Sequence, residues 1–181
     1  MSSYKIVVTG AFNSGKTQFV KTLSDIPVVS TEKRITTDDV GLKAYTTVAM
    51  DYGRTTVSND TLYLYGTPGQ ARFDFMWDIL SGNIDGFIVM VDSTNEQSFN
   101  ETATIIANFA DSTSAPYLVV ANKTDVQGAI SITTVSQRLN FTQNITVMPC
   151  VATQKSSCRQ VLLQLIELIN KSQPSKLNHK I

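Results

Sequence analysis

The sequence predicts a doubly wound α/β domain: a six-stranded, mostly parallel sheet with one antiparallel strand and about five helices. Three observations predict it. Apolar, strand-like runs alternate with segments of helical period along the whole chain. Two of those runs, GFIVMVD (86–92) and PYLVVAN (116–122), are almost continuously apolar, as strands buried on both faces must be. The glycine-bearing stretch GAFNSGKT (10–17) joins the first strand to the first helix.

Taken in order, YKIVVTG (4–10) is a short apolar run ending in glycine and predicts a buried strand. GKTQFVKTLSD (15–25) sets Phe19, Val20 and Leu23 on one helical face. Residues 27–45 keep no sustained period, and a loop of that length in a compact domain is usually functional. TTVAMDY (46–52) and TLYLY (61–65) predict an antiparallel pair with its turn near GRTTVSND (53–60). A helix is expected near 71–81, a strand at 86–92, a helix at 95–110 and a strand at 116–122. A helix at 132–140 and the strand NITVMPC (144–150) follow. The last helix, 155–171, turns Val161, Leu162, Leu165, Ile166, Leu168 and Ile169 inward. Residues 1–172 therefore read as one domain and 173–181 as a solvated tail.

A chain of 181 residues can bury a sizeable core. Fifteen basic residues balance fifteen acidic ones, so no global field draws the protein to nucleic acid or an anionic membrane. No run approaches the ~18 apolar residues of a membrane span. MSSYKIVVTG is not a secretory leader, and neither Ser2 nor LNHKI carries a lipidation signal. We therefore expect a cytoplasmic protein with no nucleic-acid partner and no membrane anchor of its own. Cys150 closes a strand and Cys158 opens a helix, and free thiols are expected. The single histidine, His179, lies in the tail, so no histidine-based metal site or triad is expected.

GAFNSGKT fits G-x-x-x-x-G-K-[ST] in the strand–loop–helix context that this motif needs. Gly10 and Gly15 let the backbone curl so that its amides, over Asn13, Ser14, Gly15, Lys16, Thr17 and Gln18, face an anion. The helix N-terminus adds positive potential. Lys16 is expected to reach the β and γ phosphates and to act in catalysis, and the Thr17 hydroxyl to bind Mg2+.

Asn122-Lys123-Thr124-Asp125 follows a buried strand and reads as a guanine reader. The Asp125 carboxylate would accept from guanine N1–H and N2–H2 together. Adenine offers neither donor, so it would leave that carboxylate unpaired at a cost of about 1–3 kcal/mol or more. The Lys123 stem would cover the base, and Asn122 would tie this loop to the phosphate loop. CVAT (150–153) follows the next strand, and the Ala152 amide, with Thr153 beside it, is expected at guanine O6.

With these motifs and PGQ (68–70) in this order and spacing, the sequence over about residues 4–171 resembles the Ras-like small GTPases. TTVAMDYG (46–53) and YGTPGQARFDFMWDIL (65–80) look like the prokaryotic branch related to the gliding-polarity GTPase MglA. The resemblance implies a P-loop GTPase fold, Mg2+ as cofactor, and GTP and GDP as substrate and product. It also implies a protein effector or activator, with a roadblock-domain protein as a candidate partner.

The resemblance further implies two switches. Thr47, with Thr46 as the alternate, would be the magnesium-sensing threonine. The Gly69 amide would touch the γ-phosphate, and Gln70 would orient the attacking water. The family's acid at the end of the switch strand is missing, and Gly66 stands there. Asp51 lies four residues beyond Thr47, about 13 Å along an extended strand, which reads as too far to share a metal. Asp92 reads as a loop-stabilising cap, while Asp38 and Asp39, in the first switch, stay open as substitutes. A working site that holds its metal loosely and exchanges nucleotide fast is expected. Thr46 stands where MglA-type proteins carry an arginine. Arg34 and Arg54 are the nearest alternatives, and Phe12 crowds the approach of an arginine from a partner. An arginine finger contributes about 10³–10⁵ in rate, so slow intrinsic hydrolysis is expected. The alternative is a guanine-nucleotide-binding scaffold that recruits partners and barely hydrolyses.

Overall fold

Continuous apolar runs settle which strands lie inside the sheet. β1 (Ser3–Gly10), β6 (Gly86–Asp92) and β7 (Tyr117–Asn122) are buried on both faces and occupy interior positions. The computed structural model describes residues 1–29, 32–34, 45–47, 50–68, 84–139 and 145–172. Between β1 and β6 run α1 (Lys16–Leu23), β2 (Glu32–Arg34), β3 (Tyr45–Thr47), β4 (Asp51–Val57) and β5 (Asp60–Gly66). After β6 come a 3-10 turn (Glu96–Ser98), α2 (Phe99–Ser112), β7, α3 (Ile132–Leu139), β8 (Val147–Cys150) and α4 (Lys155–Ser172). The six-stranded sheet has the order β4-β5-β1-β6-β7-β8, antiparallel only between β4 and β5.

Side chains alternate across this sheet and divide the core in two. Ile6, Val8, Ile88, Met90, Leu118 and Val120 pack with Phe19, Val20 and Leu23 of α1 and with Val161, Leu162 and Leu165 of α4. On the opposite face Val7, Phe87, Val89, Val91, Val119 and Ala121 pack with Phe109 and its neighbours on α2 and with Val135 and Leu139 of α3. Phe87 is held between Tyr117, with ring centroids 4.5 Å apart, and Phe109 at 5.0 Å. Phe87→Ala should cost about 3–5 kcal/mol, read from the midpoint of urea unfolding. The strand order reverses at β1, between β5 and β6, and such a point opens a crevice at the carboxyl ends of the strands.

Both edges are blocked. β8 carries Pro149, which withholds a donor. The β4 edge is covered by the chain leaving α1: Val29 and Tyr52 exchange backbone hydrogen bonds, and Asp25 N donates to Arg54 O at 2.7 Å. Arg54 N donates to Ser24 Oγ and Thr56 N to Asp25 Oδ2. Ser24 turns to extended backbone, so α1 stops at Leu23 rather than running to 25.

Four expectations change. TTVAMDY is not one strand: residues 45–47 pair with 32–34 in a separate ribbon, and β4 starts at Asp51. The stretch 27–45, read as loop, thus contributes β2. GRTTVSND is mostly strand, and only Ser58 (φ 50) and Asn59 (φ 70) turn, both left-handed as a two-residue hairpin of matching twist requires. Gly53 stands inside β4 because α1 packs so close that a Cβ there would meet Val20 Cγ1 at 2.9 Å. The last strand is shorter than 144–150. The helix expected at 71–81 and the tail at 173–181 lie outside the described residues. Among the described residues there are four α-helices.

Candidate functional site

The phosphate loop leaves β1 at the crevice. Gly10 (φ 136), Asn13 (φ 61) and Gly15 (φ 100) take left-handed backbone, which curls the loop around its own amides. Gly15 is the N-cap of α1 and brings no side chain to compete for the first amides of the helix. Buried Lys16 lies back across the loop, its Nζ donating to Gly10 O and Ala11 O at 2.7 Å each. Gln18 is exposed and donates to Thr22 Oγ1 at 2.9 Å.

Asn122 joins this loop to the base-reading loop. Its Nδ2 donates to Ser14 O at 2.9 Å, and its Oδ1 accepts from Ala152 N at 2.9 Å. Ala152 O in turn accepts from Thr22 Oγ1 at 2.6 Å and from Cys158 Sγ at 3.5 Å. Both cysteines are free and buried. The hydrogen bond with Cys150, then burial, holds the Cys158 thiol far above its ordinary range, so it stays protonated. The Ala152 amide assigned to guanine O6 is therefore engaged by Asn122, and exposed Thr153 follows it. Asp125 is exposed at the tip of its loop. Lys123 has left-handed backbone (φ 63), and its ammonium pairs with Asp92 Oδ2. Asp92 also caps its own turn, its Oδ1 accepting from Thr94 N and Oγ1. The ion pair to Lys123 was not foreseen.

The metal corner differs most from expectation. β4 and β5 pair so that Asp51 stands directly opposite Gly66. Asp51 is fully buried, and its Oδ2 accepts from Thr17 Oγ1 at 2.6 Å. A Cβ on Gly66 would lie 3.1 Å from Asp51 Cβ and 3.2 Å from its Oδ2. The Asp51 carboxylate thus fills the space beside Gly66 that a residue-66 side chain would enter. The distance set against Asp51 was measured along a single strand from Thr47, whereas β3 and β4 are separate strands in different sheets and Asp51 meets Thr17 directly. Counting back from the Ser58–Asn59 turn would have found it. A carboxylate and a hydroxyl are hard oxygen ligands that suit Mg2+. Thr17 and Asp51 thus offer two oxygen ligands, and no group of three or more His, Cys, Asp or Glu gathers among the described residues.

The switches are only partly in view. Thr67 is buried, bonded through Oγ1 to Thr9 Oγ1 at 3.0 Å, and fixes the exit of β5. Gly69, Gln70, Asp38 and Asp39 lie outside the described residues. Thr47 and Thr46 stand in β3 opposite Glu32 and Lys33, and Arg34 stands opposite Tyr45. Arg54 is exposed and three residues from Asp51 towards the hairpin turn, about 10 Å along β4, so it does not serve this site.

No described helix is long and apolar enough to cross a membrane. Among solved structures, that of the Arl6 BBS3 small GTPase from Trypanosoma brucei with bound nucleotide analogue GppNp matches with a TM-score of 0.74, covering 94% of this chain and 99% of that one. At 17% identity it shows the α/β small-GTPase fold alone. An uncharacterized protein of Methanocaldococcus jannaschii is 31% identical over 122 residues, 67% of this chain and 71% of its own length. ADP-ribosylation factor-related protein 1 of Rattus norvegicus is 29% identical over 135 residues, 71% of this chain but 63% of that protein. The family model described as Ras family matches residues 5–171, nearly the whole domain. On that match, the chain belongs to the Ras family of small GTPases.

Proposed function

We propose that this protein is a GTP-operated switch that binds GTP and GDP with Mg2+ and hydrolyses GTP slowly until a protein partner assists. The observation that carries this is the Asn122 bridge, which makes the phosphate loop and the base-reading loop one rigid unit. Asp125 reads the guanine edge, Lys123 covers the base, and the Thr153 amide faces O6. The phosphate-loop amides and Lys16 hold the phosphates. Thr17 and Asp51 would hold Mg2+, with Thr47 joining them in the triphosphate state, and the ion would supply neutralising charge to the phosphates. Gly69 senses the γ-phosphate and Gln70 orients the water.

Thr46 and the outward position of Arg54 leave the site without an arginine of its own from these two positions, which favours a barely hydrolysing scaffold as the second reading. The two sequence stretches TTVAMDYG and YGTPGQARFDFMWDIL support placement in the MglA-related branch, and that resemblance implies a roadblock-domain partner.

Calorimetry with GTP, GDP and ATP tests the ligand: tight binding of both guanine nucleotides and none of ATP is expected, and a preference for ATP overturns the reading. Single-turnover phosphate release tests the chemistry. Gln70→Ala should slow it about 100-fold, the loss usual when a reacting group is left unpositioned. Equal rates in wild type and variant would favour the scaffold.

A further inference from the structure

We infer that Asp92 is a positioning residue for guanine recognition: its carboxylate holds Lys123 by the ammonium and so fixes the backbone that carries Asp125. The inference rests on the guanine reading proposed above. Asp92 ends β6 and stands beside Asn122, the last residue of β7, in parallel register. It is 3% exposed and receives three donors, Thr94 N, Thr94 Oγ1 and Lys123 Nζ. The Lys123 side chain is 27% exposed, so the pair is closed on the Asp92 side and open on the other.

The loop needs such an anchor. Lys123 is a non-glycine residue in left-handed backbone, a conformation that reverts unless something holds it. From Thr124 onward the loop rises to the surface, and Asp125, Val126, Gln127 and Gly128 are exposed. Its backbone ties are few: Val126 N donates to Lys123 O, Thr124 N to Cys150 O at 3.5 Å, and Ala129 N to Val126 O. The turn that Asp92 caps holds the loop from below, with Ser93 N donating to Asn122 O at 3.1 Å and Ile130 N to Ser93 O at 2.8 Å. The ion pair joins the two segments at their charged ends. It leaves the aliphatic stem of Lys123 as the part that meets the base, and it sets the direction in which Asp125 leaves the strand.

The test compares Asp92→Asn, Lys123→Met and the double variant by release of GDP and GTP from full-length protein. Asparagine can still accept from Thr94, so the turn survives while the charge is lost. Each single variant should raise both release rates by about tenfold, and by the same factor for GDP and GTP, because this loop touches only the part the two share. The double variant should be no worse than either single, since both remove one interaction. Inosine diphosphate supplies the readout that simple destabilisation would not move. It lacks the exocyclic amine, so the preference for GDP over it reports the aim of Asp125. That preference should narrow severalfold in Asp92→Asn at unchanged far-UV circular dichroism. Unchanged release rates, multiplicative losses in the double variant, or an intact preference would each overturn the inference. Wild-type protein that binds neither diphosphate would overturn the guanine reading and this inference with it. Wild-type binding beside an unaltered Asp92→Asn overturns this inference alone.

Discussion

Asp51→Ala should weaken Mg2+ retention about 10–100-fold, the loss usual when an oxygen group that orients a metal's shell is removed. The measurement is the Mg2+ concentration that halves GDP release. The effect follows from position. Asp51 faces Gly66 across the hairpin, and its carboxylate already meets Thr17, the phosphate-loop hydroxyl of the metal corner. Asp51→Asn decides between a ligand-orienting role and a merely structural one. It keeps the shape and an acceptor for Thr17 but loses the charge, so a metal role predicts nearly the alanine loss and a packing role predicts almost none. The exchange of places is sharper still. Gly66→Asp alone sets a Cβ 3.1 Å from Asp51 Cβ and 3.2 Å from its Oδ2, so a second carboxyl enters beside the first, and neighbouring carboxylates resist ionising together. Asp51→Gly with Gly66→Asp removes that conflict and restores one acid from the other strand. Most of the Mg2+ affinity should return. A double variant no better than Asp51→Ala would show that the acid on β4 does not stand in for one on β5.

The parts of this site that could be read from residues alone are those whose contacts are local. GAFNSGKT closes on itself within a few residues, with Lys16 bonded to Gly10 and Ala11, so its role follows from spacing. Asn122 reaches Ser14 across 108 residues, yet both belong to motifs whose types already demand the contact. Asp51 was set aside because its contact with Thr17 depends on hairpin register. One misplaced turn, suggested by Gly53, hid the pairing with Gly66, although the glycine serves the close approach of α1. Asp92 and Lys123 meet only because β6 and β7 lie side by side, which no period in the chain encodes. The β2–β3 ribbon has three residues in each strand, too few for alternation to show. The contact of the Ala152 amide with Asn122 Oδ1 was not legible, because no sequence pattern shows which acceptor stands beside it.

Gly15→Ala tests the bridge on which the two loops depend, and it should reduce GDP and GTP affinity about a thousandfold, close to 4 kcal/mol. Two costs combine. The backbone at φ 100 is poorly suited to alanine. The new methyl would also stand 2.2 Å from Asn122 Nδ2, inside any allowed contact. Asn122 is buried and cannot swing into water, so its displacement breaks the bonds to Ser14 O and from Ala152 N together. Each buried bond broken costs about 1–3 kcal/mol. The loss should strike both nucleotides equally, because the bridge sets the distance between base and phosphates rather than the fit of the γ-phosphate. The Gly15→Ala, Asn122→Ala double variant isolates the mechanism. With the amide gone the methyl has room, so the double should bind little worse than Asn122→Ala alone, the difference being the backbone strain. If instead the two losses multiply, the methyl acts through the phosphate-loop backbone and not through Asn122. Full affinity in Gly15→Ala would mean that the loops need no bridge to grip one nucleotide.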